Sequence, residues 1–149
     1  MAYKFYGASN DKLASLKTIC DKYKAVKNPF HLYDLLSNIW CAATCAPRMR
    51  DNWCKDNMTL GQCSITAFLT QDIFGGEVYG ILRTAGNYHC YNVIDGLIFD
   101  LTSEQFGDEI LSYVDNPLQD RNVHFAKEEK RLRYEYLKAE LIKTIDNIN

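Results

Sequence analysis

The sequence predicts an α+β domain, because segments with helical apolar spacing come first and last while runs rich in Val, Ile, Tyr and Phe cluster between them at 77–84 and 88–102. A chain of 149 residues, 47% hydrophobic and 24% charged, has the make-up of one globular domain. At that size a core forms without disulfide or metal staples. The expected arrangement is a small antiparallel sheet packed against N-terminal and C-terminal helices.

Leu13, Leu16, Cys20 and Tyr23, with Ile19 and Val26 beside them, follow Asn10 and Asp11, and their spacing predicts a first helix capped by one of those two residues. Asn28-Pro29 reads as the cap and first residue of a second helix reaching about Trp40, since Leu32, Leu35, Leu36 and Ile39 fall on one face. From 41 to 58 no period is sustained and a long ordered loop is expected. Thr59-Leu60-Gly61-Gln62 has the spacing of a capping box, which predicts a buried helix from Cys63 to Phe74 ended by Gly75-Gly76. The following runs are strands, and Asp95-Gly96 is a two-residue hairpin turn requiring positive φ at both positions. Tyr134, Leu137, Leu141, Ile145 and Ile148 define the apolar face of a charged helix from about Lys127 to the end.

The charge pattern narrows the classes of partner. Seventeen basic against nineteen acidic residues give a net charge of −2, with no basic stripe to meet a phosphate backbone, so no nucleic-acid partner is expected. No stretch is apolar enough to span a membrane, and residues 1–20 lack the apolar run of a secretory leader, so a cytoplasmic protein with no membrane partner is expected. In that compartment the six cysteines stay reduced and are weighed as core residues, metal ligands or nucleophiles. Cys41, Cys45, Cys54 and Cys63 are separated by three, eight and eight residues, which lacks the paired short knuckles of common zinc sites. No metal is expected. Gly75-Gly76 lacks the context of a phosphate cradle, and no cofactor is expected either.

Counting outward from the Asp95-Gly96 turn pairs Ile94 with Leu97, Val93 with Ile98, Tyr91 with Asp100 and His89 with Thr102. His89 then lies diagonal to Asp100 on one face, within reach of a hydrogen bond that would orient the imidazole. Cys63 opens the predicted helix, where unpaired N–H groups and the dipole favour a thiolate. Cys63, His89 and Asp100 thus form one candidate nucleophilic set. The bland readings are a core cysteine, a packed or solvated histidine, and an Asp100 that merely caps the next helix after Leu101-Thr102. Gln62 is either the capping partner of Thr59 or an oxyanion donor. Trp40 and Trp53 read as core or cleft-wall aromatics, and His31 and His124, without acidic or thiol neighbours in sequence, are assigned no chemistry. The 127–133 run reads by default as a solvated helix face and otherwise as a binding patch.

Gly61-Gln62-Cys63 resembles the nucleophile motif of transglutaminases, and the order Cys, His, Asp resembles that of transglutaminase-like and arylamine N-acetyltransferase branches of papain-like enzymes. Ser64 stands where transglutaminases carry an aromatic residue, and the eleven positions from His89 to Asp100 are fewer than theirs, so crosslinking is not implied. A longer string is similar to the bacterial YunG-like family over about 30–141: Gly61-Gln62-Cys63, Thr66-Ala67, Gln71-Asp72, Phe74-Gly75-Gly76-Glu77, His89, Tyr91-Asn92, Asp95-Gly96, Asp100-Leu101-Thr102 and Gln105-Phe106. Residues 1–28 then look like an added helix. The resemblance implies a compact papain-like (transglutaminase-like) core with Cys63, His89 and Asp100 in a Cys-His-Asp arrangement. It also implies Gln62, Asn92 and Gln105 as polar neighbours, to which Trp53 is added as a binding residue. The resulting expectation is thiol-dependent acyl chemistry, an amide or ester hydrolase or a transferase, on an unidentified small molecule or peptide. The alternative is a non-catalytic binding or interaction module that keeps the fold.

Overall fold

The structure is a computed structural model that describes residues 2–148. Four α-helices, α1 (Pro29–Ser37), α2 (Cys63–Phe74), α3 (Arg121–Phe125) and α4 (Glu128–Asp146), surround a sheet of three strands, β1 (Glu77–Leu82), β2 (Tyr88–Ile94) and β3 (Leu97–Phe99). The strands pair antiparallel in the order β1-β2-β3, so the chain is α+β as predicted. Asn28 caps α1 by accepting from the His31 N–H at 2.9 Å, and Pro29 stands at its first position. Asp95 and Gly96 both adopt positive φ, 51° and 78°, and the hairpin register Ile94 to Leu97 and Val93 to Ile98 follows.

Strand β2 is buried on both sides. Cys90 and Ile94 face a core built with Ile65, Phe68, Leu69 and Ile73 of α2 and Leu137, Leu141 and Ile145 of α4. Tyr91, on the other side, packs with Ile81 and Tyr113 under the segment that follows β3. Asn92 donates to the Ala67 carbonyl at 2.9 Å, and buried Trp40 donates to the Thr66 hydroxyl at 3.0 Å, so polar contacts fix α2 against strand and loop alike. Arg121 ties α3 to α2 through the Phe68 carbonyl, Gln71 and Asp72. Arg133 ties α4 to the Thr44 carbonyl at 3.0 Å.

Several expectations are corrected. Residues 13–26 form no helix; they make two short 3-10 turns, Asp11–Ser15 and Asp21–Tyr23, with extended chain between them. Leu13 with Leu16, and Tyr23 with Val26, are buried pairs three residues apart, which suits a three-residue turn, whereas Ile19 is 68% exposed and breaks the stripe. Earlier in the chain Tyr6 bridges to Asp100 and its N–H donates to the Ser103 hydroxyl at 2.8 Å. Asn10 does cap, accepting from the Lys12 N–H. The Thr59–Gln62 capping box is absent: the Thr59 hydroxyl is buried without a partner and the Gln62 amide donates to the Cys41 carbonyl at 3.2 Å. Strand β3 stops at Phe99, so the predicted ladder pairs Tyr91 with Asp100 and His89 with Thr102 do not form. Asp100 gives its N–H to the Tyr6 carbonyl instead. Ile148 is half exposed and leaves the α4 face. The 41–58 loop is ordered as expected, as three 3-10 turns. Among the described residues no helix is long and apolar enough to cross a membrane.

Leu137 has no exposed surface while Leu132, on the same helix, is 51% exposed. Leu137→Ala should cost about 2–5 kcal/mol in denaturant unfolding and Leu132→Ala less than about 0.5 kcal/mol.

Candidate functional site

Cys63 is the first residue of α2, and no side-chain cap occupies the N–H groups of that first turn. The turn therefore presents its positive end to whatever lies in front of it. Gly61 makes this entry possible: its φ is +70°, and a Cβ there would lie 2.6 Å from the Cys45 sulfur and 2.9 Å from the Ala46 nitrogen. The Ala46 N–H donates to the Gly61 carbonyl at 2.9 Å, pinning the loop wall to the start of the helix. On the opposite side Gln105 accepts from the Gly61 N–H at 3.2 Å and donates to the Thr102 carbonyl at 2.9 Å. One amide side chain thus couples the loop before Cys63 to the segment carrying Asp100.

His89 and Asp100 are buried and joined, Nε2 to Oδ2, at 2.5 Å. The carboxylate takes three further bonds, from the Tyr113 hydroxyl to Oδ2 at 2.8 Å and from the Thr102 N–H and hydroxyl to Oδ1 at 3.1 and 3.3 Å. Asp100 does not cap the following 3-10 turn, Ser103–Phe106, which has no side-chain cap; its Oδ1 is held by Thr102 and its Oδ2 by His89 and Tyr113. Phe106 stands edge-on to the imidazole with ring centres 4.7 Å apart. The Nδ1 atom of His89 is buried without a partner, and the Cys63 thiol donates to the Tyr88 carbonyl at 3.9 Å. Burial alone would lower the imidazole pKa; the charge and hydrogen bond of Asp100, helped by Cys63, overcome it and push the value up to about 10.

The Cys63 thiol is held well below the ordinary value, chiefly by a hydrogen bond from the Cys90 side chain, with the bond and charge of His89 adding to it against the opposing effect of burial. Cys90 is pushed up by the same hydrogen bond and by burial, and stays a thiol. Of the two sulfurs Cys63, at the helix N-terminus, is the one whose charged form its surroundings favour. The sequence reading missed Cys90, whose alternation along β2 assigns it to the core.

These groups open on a cleft of about 770 Å³. Its walls are 46–49 of the loop, the 83–88 hairpin with Phe106, and a third side made by His124, Lys127, Lys130 and Arg133. Cys63, His89 and Gln105 line it, whereas Gln62, Asn92 and Trp53 do not. Gln62 holds the Cys41 carbonyl, Asn92 the Ala67 carbonyl, and Trp53 the Met58 carbonyl at 2.9 Å, so all three brace the site from behind. A second hollow, about 420 Å³, lies beside Tyr6 and Tyr113 and holds neither thiol nor imidazole.

His124, assigned no chemistry from sequence, and Lys127, Glu129, Lys130 and Arg133 of the run expected by default to be a solvated face are cleft wall. Burial and the Lys130 cation push His124 down to about 4, so its ring is neutral; Lys130 donates to its Nδ1 at 2.8 Å and its Nε2 donates to Gln119 at 2.8 Å. A basic stretch after an Asx-capped short helix was the available signal, but its facing was not. Among the described residues no group of three or more His, Cys, Asp or Glu side chains is placed to hold a metal ion.

The chain is thus an α+β protein in which a thiol at a helix start and an imidazole bonded to a buried carboxylate behind it line one cleft. It belongs to the YunG family: the profile described as "YunG protein" matches residues 28–146. It is similar to "Uncharacterized protein YunG" of Bacillus subtilis (strain 168), 29% identical over 102 residues, which cover 65% of this chain and 81% of that protein. No solved structure matches it.

An asparagine at position 100 cannot accept on both sides, so Asp100→Asn should lose about 1–3 kcal/mol in denaturant unfolding. Protonation of wild-type His89 stabilises the fold fully below the unfolded value of about 6.5, and this contribution disappears as pH rises through about 10. In the variant the imidazole, followed by NMR titration, should lose its proton at markedly lower pH.

Proposed function

We propose that the protein is a thiol-dependent acyl-transfer enzyme using Cys63, His89 and Asp100. The observation that carries the reading is the buried His89–Asp100 pair at 2.5 Å, set beside a thiol at an uncapped helix start and open to a cleft. The Cys63 thiolate attacks an amide or ester carbonyl carbon, forming a C–S bond while the carbonyl electron pair moves to oxygen, where first-turn N–H groups of α2 face the developing charge. The tetrahedral centre collapses, the C–N or C–O bond breaks, and His89 gives its proton to the departing amine or alcohol. Water or an amine then attacks the thioester, His89 accepts its proton, and Cys63 leaves as thiolate. Water as acceptor makes the protein a hydrolase and an amine makes it a transferase; a small molecule or peptide fits a cleft of this size. Asp100 holds His89 in one tautomer and stabilises its charge throughout.

A nucleophile opening a helix, packed on an antiparallel sheet that supplies the base, supports likeness to a papain-like or transglutaminase-like core.

The test is alkylation with iodoacetamide at about pH 6, where a thiol of pKa about 8.5 is almost wholly protonated, followed by peptide mapping of the six cysteines. Cys63 should react first. Slow, uniform labelling would refute the enzyme and favour the binding module. The pH–rate profile for Cys63 should inflect well below about 8.5. It should step up again near 10, where loss of the imidazolium proton frees a more nucleophilic thiolate.

A further inference from the structure

The cleft is cationic in a chain of net charge −2. Arg48, Arg83, Lys127, Lys130 and Arg133 line it against a single carboxylate, Glu129. Two of the five are answered: Arg83 by Glu109 at 2.9 Å and Arg133 by Glu129 at 2.8 Å. Among the described residues Arg48, Lys127 and Lys130 have no ion-pair partner.

Lys130 is the least ordinary of these three. Arg48 and Lys127 are exposed, whereas Lys130 is half-buried and donates to a neutral imidazole, His124 Nδ1, at 2.8 Å. A cation drawn out of water onto a neutral acceptor is under-compensated, and an arriving anion restores the balance. Burial pulls the lysine below its ordinary pKa, and the Cys63 sulfur, within electrostatic reach of the ammonium, opposes that without overcoming it. His124 and Gln119 form the rest of a chain of hydrogen bonds that fixes the ammonium in place.

Resting on the acyl-transfer reading of Cys63, we propose that the substrates are acyl compounds carrying a carboxylate, and that Lys130, positioned by His124, binds that group. Of the forked donors that suit phosphate, Arg83 and Arg133 already hold Glu109 and Glu129 and Arg48 is exposed, so the half-buried free cation of the cleft is a compact point charge matched to a monoanion.

The experiment compares the rates at which Cys63 is alkylated by iodoacetate and by iodoacetamide, a carboxylate and its neutral amide, expressed as a ratio so that thiolate content cancels. The ratio in the wild-type protein should be about tenfold higher than in Lys130→Gln, and Lys130→Arg should keep most of it. It should also fall in the wild-type protein as salt shortens the screening length from about 30 Å at about 0.01 M to about 3 Å at about 1 M, a readout that needs no variant. Rapid iodoacetamide labelling with a ratio unmoved by Lys130→Gln and by salt would overturn the carboxylate site and leave the acyl-transfer reading standing. Slow labelling by both reagents would overturn that reading itself.

Discussion

Asp100 is a carboxylate placed beyond the reach of water, and a charge in that position survives only if every lone pair is met. Four donors do this, and each comes from a different kind of source: the backbone two residues on, a hydroxyl beside it, a tyrosine from the following segment and a histidine from the neighbouring strand. The end of β3, the turn after Leu101 and the packing of Tyr113 under the sheet are all set by that requirement. Tyr6 closes it from the chain's other end, accepting the Asp100 N–H and stacking on Tyr113 with ring centres 3.8 Å apart. The carboxylate is thus held by segments from three regions of the sequence, and the imidazole it orients cannot swing without unmaking them.

The thiol is placed by a separate device. A helix start needs something to turn the chain into it, and here a positive-φ glycine, packed bare against Cys45 and Ala46, replaces the side-chain cap that the local sequence suggests. Leaving the first turn uncapped keeps its N–H groups for the cleft. Gln105 then ties Gly61 to Thr102, two residues from Asp100, so the sulfur and the His–Asp pair share one brace. The three unpartnered buried polar atoms among the described residues, on Thr59, Gln62 and His89, lie on or beside this assembly. Such atoms concentrate where a structure serves something other than its own stability.

Much of this was legible along the chain because it depends on near neighbours. Asn28-Pro29 fixes the start of α1, the Cys63–Phe74 helix has the predicted limits, and Asp95-Gly96 sets a register that brings His89 toward Asp100. The same local logic failed at 13–26, where spacing of three was taken for spacing of three and four, and at Thr59–Gln62, where a correct capping pattern was overruled by a carbonyl twenty-one residues upstream that claimed the glutamine. Gln62, Asn92 and Trp53 were singled out as site residues and stand behind the site as braces; their polar character is real, but which way each points depends on contacts remote in sequence.

The sequence by itself determined the α+β class, the helix that begins at Cys63 and the hairpin that carries His89, because turn chemistry and hydrophobic period act over a few residues. Only the tertiary structure decided that Cys90 would meet Cys63, that Tyr113 and Tyr6 would close around Asp100, and that the start of α4 would wall a cationic cleft with Lys130 and His124. Those outcomes come from burying one charged group and one apolar stripe against whatever surfaces the folded chain brings up. No window of neighbouring residues contains that information.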